Sequence, residues 1–176
     1  MTESDTRIGF LKRASWIGVF GNTVLAALKI VFGILSGSLA VISDGIDTAT
    51  DIITSLVSLF AAMVMGKPPD RGHPYGHWRA EAIATKLISF VIFFVGAQLA
   101  LSSGRILVKG GAIDTPTIAA VFVTLASIFG KAVLAVIQFT TGKRHDSPMI
   151  IANARNMLGD IYISLGVLIG LVFTRL

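Results

Sequence analysis

Three carboxylates stand within eight residues of an otherwise apolar stretch: Asp44, Asp47 and Asp51, in Ser43-Asp44-Gly45-Ile46-Asp47-Thr48-Ala49-Thr50-Asp51. A charge at the centre of a bilayer costs about 2.5–3.5 kcal/mol, so such residues persist where they pair, face water or bind something. Asp47 and Asp51 are four apart, which on a helix puts them on one face with Cβ atoms about 6 Å apart. A later apolar segment repeats the spacing with Asn156 and Asp160. Two helices that each offer such a pair can close a four-ligand cage around one cation. Carboxylate and amide oxygens suit hard or borderline divalent ions. Asp47, Asp51 and Asp160 carry one negative charge more than a divalent ion neutralises, so the set would take up protons when metal leaves. That is a route to proton exchange. Asp44 falls near the same face but towards the outer end of its helix, as a structural or entrance group.

An ion pair or a helix cap is the other use for a buried carboxylate. Lys29, Lys86, Lys131 and Arg155 are the cations within reach of the apolar segments. A second constellation lies in the polar stretch GKPPDRGHPYGHWR, residues 66–79. Asp70, His73 and His77 there supply one oxygen and two imidazoles, enough for a surface Zn²⁺-type site completed by water. The plainer reading is a turn with solvated histidines. His145 and Asp146, in GKRHDS, are expected to begin a helix rather than bind metal.

The elements that must position these groups are helices. Five apolar segments can be drawn, at about 14–35, 39–65, 80–108, 116–141 and 148–173. At 1.5 Å per residue each is long enough to cross a hydrocarbon core of about 30 Å. Strands would show alternation, which these segments lack. Pro116 and Pro148 sit near helix starts, with Asp114-Thr115 and Asp146-Ser147 before them as capping groups. Ser36-Gly37-Ser38 is a tight turn, and Gly33/Gly37 and Gly166/Gly170 fit small-residue helix contacts. Phe90, Phe93 and Phe94 are expected to face lipid or core.

Composition agrees. Hydrophobic residues make up 53% of the 176 and charged residues 14%, too little charge to coat a soluble domain of this size. Mean hydropathy is +0.78. Leu87–Gly104 runs 18 residues without a charge. With no cysteine, disulfides and thiolate metal sites are excluded. The net charge of +5 is spread between apolar segments, so nucleic-acid binding is not indicated. Arg7, Lys12, Arg13, Lys67, Arg71, Arg79, Lys143 and Arg144 fall at one side, against Arg105, Lys109 and Arg175 at the other. That imbalance places the N-terminus in the cytoplasm and Leu176 outside. Residues 1–13 are then a cytoplasmic tail and 14–176 a transmembrane domain of a multi-pass cell-membrane protein. No Ser–His pair or HExxH motif is present, so no enzyme is expected.

Three motifs in order resemble the cation diffusion facilitator family of metal transporters. They are Gly-Ser-Leu-Ala-Val-Ile-Ser-Asp at 37–44 leading into Asp47 and Asp51, Gly-His-Pro-Tyr-Gly-His-Trp-Arg-Ala-Glu at 72–81, and Ser147-Pro148 followed by Ala152, Asn156, Asp160 and Ser164. Asn22 and Lys29 also fit, and the resemblance runs from about residue 10 to 173. It implies a homodimeric, proton-coupled exporter of Zn²⁺, Fe²⁺, Mn²⁺ or a relative, with a transport site at Asp47, Asp51, Asn156 and Asp160. It also implies a loop site near Asp70, His73 and His77. The family carries six spans and a cytoplasmic C-terminal domain. Five spans are visible here, so the chain is expected to be the transmembrane portion of such a protein, truncated. Where zinc-type members commonly carry His, this sequence has Asn156, which moves weight towards Mn²⁺ or Fe²⁺. The expected cargo is a transported divalent ion rather than a prosthetic group, with lipid, protons and a second copy as partners. The alternative is a membrane scaffold or partial subunit that binds metal without transporting it.

Overall fold

The structure, a computed structural model, describes residues 3–37, 39–109 and 118–173, with side chains placed for 6–37, 41–98, 100, 101, 104, 105 and 121–165. It is an all-helical bundle of α1 (Glu3–Ser36), α2 (Leu39–Met65), α3 (Arg79–Lys109), α4 (Ile118–Arg144) and α5 (Pro148–Phe173). Four helices have described segments long and apolar enough to cross a membrane: Thr6–Ser36, Val41–Met65, Arg79–Gln98 and Val121–Arg144. Pro116, the Asp114-Thr115 cap, the side chain of Lys109, Arg175, Leu176 and the Gly166/Gly170 contact lie outside the described residues.

The first helix begins well before the apolar run at residue 14. Residues 3–13 continue it because Ile8 and Leu11 are buried in the bundle and Arg7 is tied to its far elements. One face of that polar segment therefore packs against the bundle, as the helix it extends does.

The α1 and α2 helices pack most extensively. Small residues allow it: a Cβ on Gly33 would lie 2.9 Å from the Ile42 backbone nitrogen, and one on Gly45 3.1 Å from that of Ile30. Gly37 closes the turn between them at φ +64°, a conformation that costs glycine little, while its N–H bonds to Ile34 O at 3.2 Å. Gly33 is thus a packing glycine and Gly37 a turn glycine, although they sit four apart.

The interior is layered along the helix axes. At the end holding the 66–78 and 145–147 connections, Ile8, Leu11, Ala14, Ala61, Ala62, Met65, Ala84, Ile88, Met149 and Ile150 form an apolar core. Around it Arg7 donates from Nε to His145 O at 2.8 Å and pairs through Nη2 with Glu81 at 2.8 Å. Glu81 also accepts from the Ser147 hydroxyl. Ser147 Oγ in turn accepts from Ile150 N, which makes Ser147 the N-cap of α5. The eight basic residues grouped by sequence therefore share one end of the bundle.

Deeper in, the buried amide of Asn153 donates to Gln138 Oε1 at 2.8 Å and Ser55 Oγ at 3.2 Å, and accepts from Thr54 Oγ1 at 2.8 Å. This polar layer joins α2, α4 and α5 with its side chains buried, so each bond is electrostatically stronger than at a surface. The α3 helix is the least enclosed, and its Phe90, Phe93 and Phe94 are exposed on the outside as lipid-facing residues would be.

Candidate functional site

Near the midpoint of α2 the chain buries Asp51 to 2% exposure. A carboxylate there needs compensation, and it comes from two other helices. Lys131 of α4, also 2% exposed, holds Nζ 2.8 Å from Asp51 Oδ2. The same ammonium hydrogen-bonds to Asp160 Oδ2 of α5 at 2.6 Å. Asn156, one turn before Asp160, donates its amide to Asp51 Oδ1 at 2.6 Å. One cation therefore already bridges the two helices that the carboxylate spacing singles out.

These groups face a cavity of about 650 Å³ lined also by Asp44, Asp47, Arg155 and, from α3, Val91, Ile92 and Val95. Asp47 is exposed at this cavity, one turn from Asp51 on the same helix face. Helical periodicity alone accounts for the Asp47/Asp51 and Asn156/Asp160 alignments. The packing of α2 against α5 brings the two pairs onto one cavity.

Asp44 has a separate partner. Lys29 of α1, 2% exposed, lies 2.8 Å from Asp44 Oδ2 and donates to Thr48 Oγ1 at 3.0 Å. Asp44 lines the cavity while bound in this pair, as a structural or entrance group would be. Of the cations proposed from sequence as partners for the carboxylates, Lys29 and Lys131 are used. Lys86 and Arg155 are exposed.

The spacing of Asn156 and Asp160 leads to the expectation that the Asn156 oxygen faces a metal. Here its nitrogen faces Asp51, because that carboxylate is acceptor-only and attracts the donor end of the amide. An oxygen ligand at this position requires the amide to turn over once a cation replaces the hydrogen bond. Lys131 belongs to the site although spacing places it only among possible counter-ions. Its signal in the sequence is the same as that of the carboxylates: a lone charge in the apolar run of α4.

The loop cluster is compact. Asp70 Oδ1 accepts from the backbone N–H of Gly72 at 2.9 Å and of His73 at 2.7 Å. His73 Nδ1 lies 3.2 Å from Asp70 Oδ1, and His77 Nε2 3.5 Å from Oδ2. The candidate ligand atoms are all within 4.8 Å of one another. The backbone donor of His73, followed by its side chain and the Gly72 N–H, holds the Asp70 carboxyl below the usual carboxylate range. His145 and Asp146 do not join a ligand cluster. The His145 ring stacks on Phe10 with centroids 4.6 Å apart, and Asp146 turns the chain at φ 46°.

Asp51 and Asp160 from two helices, the Asn156 amide between them and the cavity they line together form one polar cluster inside an otherwise apolar bundle. Residues 15–176 match the family described as the cation efflux transmembrane domain. Among curated relatives, the manganese efflux system proteins MneP and MneS of Bacillus subtilis (strain 168) are 33% and 35% identical over 161 and 160 residues. These alignments cover 92% and 89% of this chain and 54% and 53% of the relatives. The magnetosome protein MamB of Magnetospira sp. (strain QH-2) is 31% identical over 157 residues, 89% of this chain and 53% of that protein. The chain thus spans about half the length of the curated relatives it matches.

Proposed function

This chain belongs to the cation diffusion facilitator family, and we propose that it carries a divalent metal ion across the membrane through Asp47, Asp51, Asn156 and Asp160. The observation that carries this reading is the single ammonium held by Asp51 and Asp160 from two helices near mid-bundle. Divalent ions of the size of Mg²⁺ and Ca²⁺ contact oxygens at about 2.0–2.6 Å, slightly closer than these N–O contacts, so a metal fits between the same carboxylates with little movement. With the Asn156 amide turned over all donors are oxygen, which favours Mn²⁺ or Fe²⁺ over Zn²⁺. The relatives MneP and MneS, manganese efflux system proteins by name, point the same way. The negative charge that the departing metal leaves beyond what Lys131 offsets is taken up by protons, which makes efflux a metal–proton exchange. By family resemblance the working unit is a homodimer in the cell membrane. The basic end, with the Asp70–His73–His77 cluster as a second metal-binding group, faces the cytoplasm.

Uptake of Mn²⁺, Fe²⁺, Zn²⁺ and Co²⁺ into vesicles containing this chain, with and without a pH gradient, tests the reading. Saturable uptake that a pH gradient accelerates and D160N abolishes is expected. A second reading, a membrane scaffold that binds without transporting, draws on Lys131, which neutralises part of the site from within. Metal binding with no uptake of any of the four ions would decide for the scaffold. For sidedness, a cysteine placed at Gly72 should react with an impermeant reagent only after the membrane is opened. Reaction from outside intact cells would reverse the orientation.

A further inference from the structure

Lys131 is the only side chain among the described residues that forms ion pairs with carboxylates of two other helices. Its ammonium occupies the ground that a metal bound by Asp51 and Asp160 would need. We propose that Lys131 is a tethered counter-ion that competes with the transported metal: it leaves Asp51 and Asp160 when the ion binds and returns when the ion departs. This rests on the transport-site reading above.

The charges support it. Asp47, Asp51 and Asp160 are three negative groups around the cavity and Lys131 pairs with two of them, so the set stays negative, and able to attract a cation, with the ammonium in place. Without cargo, the ammonium spares the buried Asp51 the cost of an unpaired charge. The helices can then rearrange around a site whose two deepest carboxylates remain paired. With cargo, the flexible four-carbon stem of lysine lets the ammonium swing into the cavity without moving α4. Lys29 cannot take its place, being held by Asp44 and Thr48 on another part of α2. The consequence is weaker metal binding than the carboxylates would give alone, together with faster release.

The decisive variants are K131M, which keeps the length and removes the charge, K131Q, which keeps a donor for Asp160, and K131R, which keeps the charge. Mn²⁺ affinity of the purified chain is measured at one fixed pH of 8, with thermal melting recorded on each sample, and D160N is carried alongside. K131M and K131Q should bind Mn²⁺ roughly tenfold more tightly than the parent, the factor that about 1.4 kcal/mol represents. They should release it more slowly in a chelator chase, and K131R should stay near the parent. A helix-clamping role predicts the opposite sign, since losing the clamp loosens the cage. Weaker or unchanged affinity in whichever of K131M and K131Q melts cooperatively overturns the proposal, as does tightening in K131R equal to theirs. Should neither neutral variant melt cooperatively, chelator-chase release from K131R as fast as from the parent supports the exchange, and a release slowed tenfold overturns it. If D160N binds Mn²⁺ as the parent does, the site assignment itself fails. If D160N weakens binding while the lysine variants do not tighten it, the site stands and the competition falls.

Discussion

Replacing Asp51 by Asn changes one oxygen to a nitrogen and removes one charge from the middle of the bundle. In the resting structure the loss is cushioned. Asp51 is 2% exposed and pairs with Lys131 at 2.8 Å, but Lys131 keeps its 2.6 Å bond to Asp160. Breaking a buried pair outright costs about 3–5 kcal/mol. With one of two partners retained, D51N should cost about 1–2 kcal/mol of stability, below that scale. The effect on the metal is larger. A carboxylate about 2.5 Å from an ion, at an effective dielectric of about 20, contributes about 7 kcal/mol per unit charge of the ion. The amide oxygen recovers part of this, and the vacated half of Lys131's pairing lowers the competition. A net loss of about 3 kcal/mol, or about a hundredfold in affinity, is expected. Titrating Mn²⁺ into parent and D51N chains, with melting curves to show that both are folded, gives the two numbers separately. The control is D44N, which strips the partner from Lys29. It should lower the melting temperature as much or more, because Lys29 is 2% exposed and left with only the Thr48 hydroxyl, yet it should move Mn²⁺ affinity less than about tenfold. A folded D51N chain that binds Mn²⁺ like the parent, or a D44N chain that loses affinity as D51N does, would refute the assignment of roles along α2.

Asn156→His replaces an amide beside Asp51 with an imidazole, a borderline donor, and should shift the ranking from Mn²⁺ towards Zn²⁺ in paired titrations; an unchanged ranking would make Asn156 a packing residue. Gly33→Ala places a Cβ 2.7 Å from Ile42 Cγ1 and 2.9 Å from its backbone nitrogen, so it should destabilise the chain by about 1–3 kcal/mol in a melting experiment. Asp70 is held as a carboxylate by backbone donors, so its folded-state ionisation lies below the ordinary 3.8. What this contributes to the turn is present above that value and lost only as pH falls through the lower folded one. Carbon-13 NMR of labelled Asp carboxyls should therefore show Asp70 unchanged from pH 8 to 5, and a midpoint above 3.8 would count against the turn geometry.

Much of this molecule can be read before any coordinates. Apolar runs longer than a bilayer is thick admit only helices, because lipid leaves the backbone no other way to satisfy its hydrogen bonds. The four-residue spacings of Asp47/Asp51 and Asn156/Asp160 set their faces by helical geometry alone. The three ordered motifs carry the family. What they leave open is which faces meet. Residues 3–13 read as a tail because their charge hides the burial of Ile8 and Leu11, which only the neighbouring helices create. Gly33 and Gly37 look alike in the sequence, yet one is pressed against Ile42 and the other turns the chain. Four cations lie within reach of the carboxylates, and spacing cannot choose among them, since a lysine's partner depends on the rotation and depth of three helices at once. Tertiary packing selects Lys29 for Asp44 and Lys131 for Asp51 and Asp160. Periodicity determines where a side chain points around its own helix, whereas an ion pair between helices depends on their relative register, for which local sequence carries no period.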